Sequence, residues 1–161
     1  MSNQNRVHHV PAGSGPAYWG PGDQIRFILT GEQTGGAFFL AEVLVPPGGG
    51  PPPHIHDRED ETFYVLQGTL TIHVGDQTIY ASEGHCAHLP RGIVHYFRNT
   101  GEGTARMLVT ATPAGIEKYF EEAFNPAVEG QVPPLVTPEL IGRLMAASAK
   151  YGQTVLPPVH A

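Results

Sequence analysis

From Gln24 to Thr112 the sequence repeats one unit: four to nine residues rich in Val, Ile, Phe, Tyr and Thr, then a turn that usually carries glycine. Successive side chains of a strand point to opposite faces, so runs such as Ile25-Arg26-Phe27-Ile28-Leu29 and Leu70-Thr71-Ile72-His73-Val74 read as strands with one buried face. The pattern predicts strands at Gln24–Thr30, Ala37–Val45, Pro53–His56, Thr62–Leu66, Thr69–Val74, Gln77–Tyr80, Cys86–Pro90, Val94–Asn99 and Ala105–Thr112. Gly75-Asp76 predicts a two-residue hairpin, because glycine at the first turn position permits the positive φ that primed turns need. Short strands at this spacing imply an all-β sandwich or small barrel.

Ala37–Val45 is apolar on both faces: Phe39, Ala41, Val43 and Val45 on one, Phe38, Leu40 and Leu44 on the other, broken only by Glu42. Its outer face calls for a cover, from a C-terminal helix or a partner subunit, and a homodimer is the preferred arrangement. After Pro113 the period becomes helical, with Ile116, Tyr119, Phe120, Ala123 and Phe124 on one face, followed by the Pro-rich stretch Gln131 to Pro138. A second helix is expected from N-cap Thr137, with Pro138 at its first position and Glu139 in its first turn, ending before Gly152. Leu140, Ile141, Leu144, Met145 and Ala149 would form its apolar stripe. This divides the chain into a barrel at 1–112, with residues 1–23 as an arm or irregular edge, and a helical extension at 113–161. No internal repeat stands out.

Charge removes several classes of partner. Nine Lys and Arg against fifteen Asp and Glu give a net charge of −6, which repels a phosphate backbone. No apolar run approaches the length of a bilayer span, and the first residues lack the order of a signal peptide, so a cytoplasmic protein without membrane contact is expected. Cys86 is the only cysteine, which excludes an internal disulfide and a thiolate cluster. It reads as a small buried hydrophobe. Any metal must then rest on nitrogen and oxygen.

His54 and His56, two residues apart on a strand, project from one face about 6.6 Å apart along the backbone. Both can reach one ion. Glu61 opens the next strand after the polar loop Asp57-Arg58-Glu59-Asp60, and its parity with Phe63 and Val65 favours it over Glu59 and Asp60, which read as a solvated acidic loop. His95 opens another strand after Pro90-Arg91-Gly92. Three imidazoles with one carboxylate suit a divalent transition metal and leave positions for water, dioxygen or substrate; the set accepts Fe, Mn, Ni, Co, Cu or Zn.

Gly48, five residues, His54-Ile55-His56, four residues, Glu61, six residues and Gly68 reproduce the first cupin motif. Gly84, five residues, Pro90-Arg91-Gly92, two residues, His95, three residues and Asn99 reproduce the second. Over residues 24–112 the chain thus resembles the cupin superfamily. The resemblance implies a double-stranded β-helix, or jelly-roll barrel, with one metal held inside by His54, His56, Glu61 and His95. A single such barrel followed by Thr112-Pro113-Ala114-Gly115 and an amphipathic helix is similar, more narrowly, to quercetinase-type dioxygenases. There the metal-ligating glutamate is implied to take the substrate's hydroxyl proton, a catalytic role that would fall here to Glu61, with dioxygen as co-substrate.

Phe27, Phe63, Phe97, Met107, Tyr119, Phe120 and Phe124 are the candidate walls of an apolar pocket for a flat aromatic substrate. A non-oxidative isomerase or hydrolase-like cupin would instead want basic residues in its cavity, for which only Arg26, Arg58, Arg91 and Arg98 are candidates in the barrel. A passive small-molecule binder is the third reading; residues 1–23 are too short and too rich in Gly and Pro for a helix-turn-helix. Gly68 and Gly92 are expected in turns of positive φ, with Pro90 fixing the approach to the loop before His95. His73 is expected to point outward, His85 and His88 to pack or be exposed, and His8, His9 and His160 to lie in terminal segments. Gly48-Gly49-Gly50 is not a phosphate loop, since neither Lys nor a helix start follows it.

Overall fold

Ile25 and Phe27 on one strand, and Phe39, Ala41, Val43 and Val45 on the next, are buried while the residues between them are part-exposed. The period-two alternation therefore turns one face of each strand into a core. The structure is a computed structural model that describes residues 6–157. In it, strands β1 (Ala17–Trp19), β2 (Gln24–Leu29), β3 (Phe39–Val45), β4 (His54–His56), β5 (Asp60–Gln67), β6 (Leu70–Val74), β7 (Gln77–Ala81), β8 (Cys86–Leu89), β9 (His95–Arg98), β10 (Ala105–Thr112), β11 (Asn125–Pro126) and β12 (Gln153–Val155) are joined by helices α1 (Gly31–Thr34), α2 (Glu117–Ala123) and α3 (Pro138–Lys150). The nine expected strands all form, with ends displaced by two residues at most.

The strands build two antiparallel sheets, one of seven in the order β11-β1-β2-β3-β10-β5-β8 and one of five in the order β12-β4-β9-β6-β7. This is the expected jelly roll, and the core lies between the sheets. The β6–β7 hairpin pairs Val74 with Gln77 across Gly75-Asp76, and Gly75 takes φ +57°. Gly68 and Gly92 also adopt the expected positive φ.

The extension behaves differently from its sequence reading. It is interleaved with the barrel: β11 pairs with β1 at one edge, and β12 returns to pair with β4. Open sheet edges carry unsatisfied backbone groups, and the two short strands cover them. The stretch Ala17–Trp19 is likewise a strand on β2 and not part of an irregular arm. Helix α3 starts as expected, with the Thr137 hydroxyl accepting from the Leu140 amide at 3.2 Å. Its buried face is Leu140, Leu144, Ala147 and Ser148, while Ala149 is exposed. Arg143 donates to the carbonyl of Ala123 at 2.9 Å and ties α3 to the end of α2.

Neither helix covers the outer face of β3. Both turn side chains toward the barrel interior, where they line its cavity. Leu40 and Leu44 stay part-exposed on that outer face, Leu44 in register with Arg106, whose guanidinium lies 3.9 Å from Glu42. Cys86 is exposed, against its reading as a small buried hydrophobe, because Ala87 and Leu89 take the inward positions of β8. His73 stacks on Tyr96 at 4.4 Å and is half-buried, and His85 and His88 are exposed. His8 and His9 are exposed, and His160 lies outside the described residues. No helix among the described residues is long and apolar enough to cross a membrane.

Candidate metal centre

His54 and His56 flank Ile55 on β4, and both are buried while Ile55 is not, so the i, i+2 spacing sends the two imidazoles inward together. His54 stands in register with His95 on β9. Glu61 comes from the opposite sheet, on β5. Four side chains from three strands thus meet between the sheets, each no more than 7% exposed. Glu61 Oε2 lies 2.9 Å from His95 Nε2 and 3.5 Å from His56 Nε2. Ring centroids of the three histidines are 4.4 to 5.4 Å apart.

One ligand atom from each of the four lies within 4.8 Å of all the others. Donors at about 2.0–2.2 Å from a shared ion are on the order of 3–4 Å apart, so this set closes on a divalent metal with shifts of roughly half an ångström. The electrostatics agree. Burial, then the neighbouring charges of His56 and His95, push His54 down to about 3, which leaves it neutral with a free lone pair. Burial alone would raise Glu61, but the charge of His56 and hydrogen bonds from His56 and His95 outweigh it and hold the carboxyl well below its ordinary range. The donors present fit a metal of the borderline divalent kind.

The second motif is fixed onto the first by main-chain contacts. The Gly92 amide donates to the carbonyl of His56 at 2.8 Å, and the Arg91 amide to Asp60 Oδ1 at 2.9 Å. Asn99 serves the frame: its Nδ2 donates to the carbonyls of Val45 and Gly103 at 2.8 and 2.7 Å. Asp60 is therefore not a free loop carboxylate. Glu59 departs further from its reading as solvated, being 3% exposed. The loop between β4 and β5 is only three residues long, and it folds this side chain back toward His56.

The centre opens on a cavity of about 310 Å³, within the range of small-molecule sites. Of the expected walls, Phe63, Phe97, Tyr119, Phe120 and Phe124 line it. Phe27 and Met107 do not. Phe27 is packed edge-on to Phe39 at 4.9 Å, and Met107 is sealed between Val43 and Val65 in the seven-stranded sheet. Helix α3 adds Ile141, Leu144 and Met145 to the wall.

Two polar wall residues escaped the sequence reading, Asp23 and Gln153. Asp23 Oδ1 and Gln153 Oε1 are buried acceptors with no hydrogen-bond partner. Gln153 sits in register with His56. Asp23 precedes Gln24, which pairs with Leu44, whereas Glu61 lies in the row of Ala111 and Phe39, toward the other end of the same sheet. Neither residue belongs to a motif, and only the pairing of distant strands brings them to the cavity.

A jelly roll with three histidines and one glutamate converging inside it is a barrel of the cupin fold with a side-chain cluster that could hold a metal. Residues 41–111 match the family described as Cupin domain. It is 31% identical over 114 residues to quercetin 2,3-dioxygenase of Bacillus subtilis, an alignment that covers 70% of this chain and 33% of that one. Among solved structures it is similar to a predicted oxalate decarboxylase of Thermotoga maritima, at TM-score 0.61 and 21% identity, over 66% of this chain and 99% of that one. It is also similar to a sugar phosphate isomerase from a cupin superfamily of Silicibacter pomeroyi, at TM-score 0.50 and 27% identity, over 56% of this chain and 59% of that one. The chain spans a third of the length of the dioxygenase and about half that of a second curated relative, an uncharacterized protein of Aquifex aeolicus.

Proposed function

We propose that this chain is a metal-dependent dioxygenase that acts on a small aromatic or enolisable substrate, in the manner of a quercetin 2,3-dioxygenase. The observation that carries the reading is the position of Glu61, a buried carboxylate among three imidazoles at the wall of an apolar cavity. A metal in this centre supplies Lewis acidity toward a substrate hydroxyl and redox chemistry toward dioxygen. Glu61, held ionised, accepts the proton of that hydroxyl. Phe63 and Phe97, packed edge to face at 5.6 Å, give a flat ring an apolar wall. Side chains of α2 and α3 extend that apolar wall.

The unpartnered acceptors of Asp23 and Gln153 favour a substrate that brings hydroxyl donors, as a polyphenol does. An isomerase of phosphorylated sugars fits less well. Arg98 is the one Lys or Arg of the cavity wall among the described residues, and its Nη1 donates to the carbonyl of Gly50 at 2.6 Å.

The test is oxygen uptake by protein loaded separately with Fe, Mn, Ni, Co, Cu or Zn and presented with a flavonol. Uptake with at least one metal is expected. One metal per chain with no turnover across a panel of phenols and diketones would replace this reading with that of a passive binder.

A further inference from the structure

The three imidazoles are not held alike. His54 Nδ1 donates to the carbonyl of Pro52 at 2.9 Å, and His95 Nδ1 to that of Ile93 at 3.1 Å. In each case the acceptor lies two residues back on the same chain, and the bond places a proton on Nδ1, so that Nε2 of the neutral ring would be the atom offered to a metal. His56 has no such carbonyl. Its Nδ1 is buried and unpartnered, and Glu59 Oε2, itself buried and unpartnered, lies 3.8 Å away. Two complementary orphans thus face each other across a gap less than an ångström longer than a hydrogen bond.

The surroundings keep Glu59 there. The Asp57 amide donates to the carbonyl of Gly152 at 2.8 Å and fixes the start of its loop, while Asp60 is bound to Arg91 at the end. Gly115 closes from the far side, so near that a Cβ on it would stand 3.7 Å from Glu59 Oε1. A carboxylate oxygen confined this way and left without a donor, as Glu59 Oε2 is, is costly unless something completes it.

We propose that Glu59 is the positioning residue of the centre, accepting a hydrogen bond from His56 Nδ1 when Nε2 of the same ring is committed to a metal. This rests on the metal reading of the site. Commitment of Nε2 forces the proton onto Nδ1, and that proton needs an acceptor, which the backbone supplies to His54 and His95 and Glu59 supplies to His56. Charge points the same way. A divalent ion with neutral histidines and Glu61 leaves one positive charge in a buried site, and Glu59 cancels it. Outer carboxylates of this sort orient the ring and strengthen it as a donor, and their loss typically weakens metal binding 10–100-fold.

The test uses the full chain, Co²⁺ as probe and chelator competition to read its Kd, beside thermal melts with and without metal. Glu59→Gln keeps an acceptor but loses the charge, and a roughly tenfold weaker Kd is expected; Glu59→Ala loses both, and roughly a hundredfold is expected. The metal-free protein should melt at or above the wild-type temperature in Glu59→Gln, because the orphaned charge has gone, while the gain in Tm on adding Co²⁺ shrinks. A merely structural role would lower the metal-free melt instead. Unchanged Co²⁺ affinity in both variants overturns the proposal. So does a loss equal to that of Glu61→Gln with an altered coordination number in the Co²⁺ absorption spectrum, which would make Glu59 a ligand. If the wild type takes up no Co²⁺, Zn²⁺ or Mn²⁺, the metal reading itself has failed, and this inference with it.

Discussion

Arg91 grips both carboxylate oxygens of Asp60, Nε to Oδ1 at 3.0 Å and Nη2 to Oδ2 at 3.1 Å. The pair ties the loop that precedes His95 to the first residue of the strand that carries Glu61. Two residues of the candidate centre that are 34 residues apart in sequence are held together by a bidentate clamp just outside it.

Breaking that clamp should loosen the site more than the fold. Arg91→Ala is expected to weaken Co²⁺ binding several-fold while leaving the melting temperature near the wild-type value, since exposed pairs contribute little to stability. Hydrogen bonds from Arg91 hold the Asp60 carboxyl down at about 2. A depressed carboxylate stabilises above its unfolded pKa and stops doing so as the pH drops through the folded one, so the contribution of the clamp should begin to fall near pH 4 and be lost below pH 2. Equal metal affinity in variant and wild type at pH 7 would refute the positional role.

Glu61→Gln should keep the jelly roll and lose turnover. The amide preserves shape but cannot accept the substrate proton, and general bases typically contribute 10²–10⁴-fold, so a fall of at least about 100-fold in kcat is expected. Far-ultraviolet circular dichroism checks the fold and oxygen uptake the rate. A variant that turns over like the wild type would remove Glu61 from the chemistry.

Asp23 should make the protein less stable in alkali. Burial pushes its carboxyl up from 3.8 to about 7. The unfolded chain releases this proton near pH 4 and the folded chain near pH 7, so across that interval the folded state binds more protons and stability falls as pH rises. Above pH 7 the penalty levels off, at most on the order of 4 kcal/mol for three units. Asp23→Asn should therefore gain stability at pH 8 and change little at pH 4.5 in urea melts. Parallel wild-type and variant curves over that range would show that Asp23 does not titrate this way.

Ending the chain after Gly152 removes β12 and leaves β4 as an edge strand. The expected results are faster hydrogen exchange at residues 54–56 and weaker Co²⁺ binding, because two ligands sit on the strand that loses its partner. Unchanged exchange at those amides would mean that β4 is held by β9 alone.

The barrel was legible because alternation has one physical cause, and residues as far apart as Phe39 and Met107 obey it. The cluster was legible for the same reason: His54, His56, Glu61 and His95 sit at inward positions of strands whose parity their apolar neighbours declare. Cys86 could have been placed outward on that rule, since it is out of phase with Leu89. Asp23, Gln153 and β12 were not legible. Gln153 lies on a strand of three residues with no pattern of its own, held by a partner far along the chain, and Asp23 lies in the turn before β2, outside any alternating run. The burial of Glu59 was hidden too, because a charged residue in a three-residue loop turns inward or outward according to contacts, such as Gly115 against Glu59, that no local window contains.

The return of β12 to the strand of His54 and His56 has a temporal consequence. The first two donors leave the ribosome roughly a hundred residues before the segment that closes beside them, and contacts of such separation form late. A nascent chain therefore offers a half-built, open chelate to whatever cation the surroundings hold in excess. Which ion such a centre would take up then depends on supply and on exchange during this interval as much as on the finished cage.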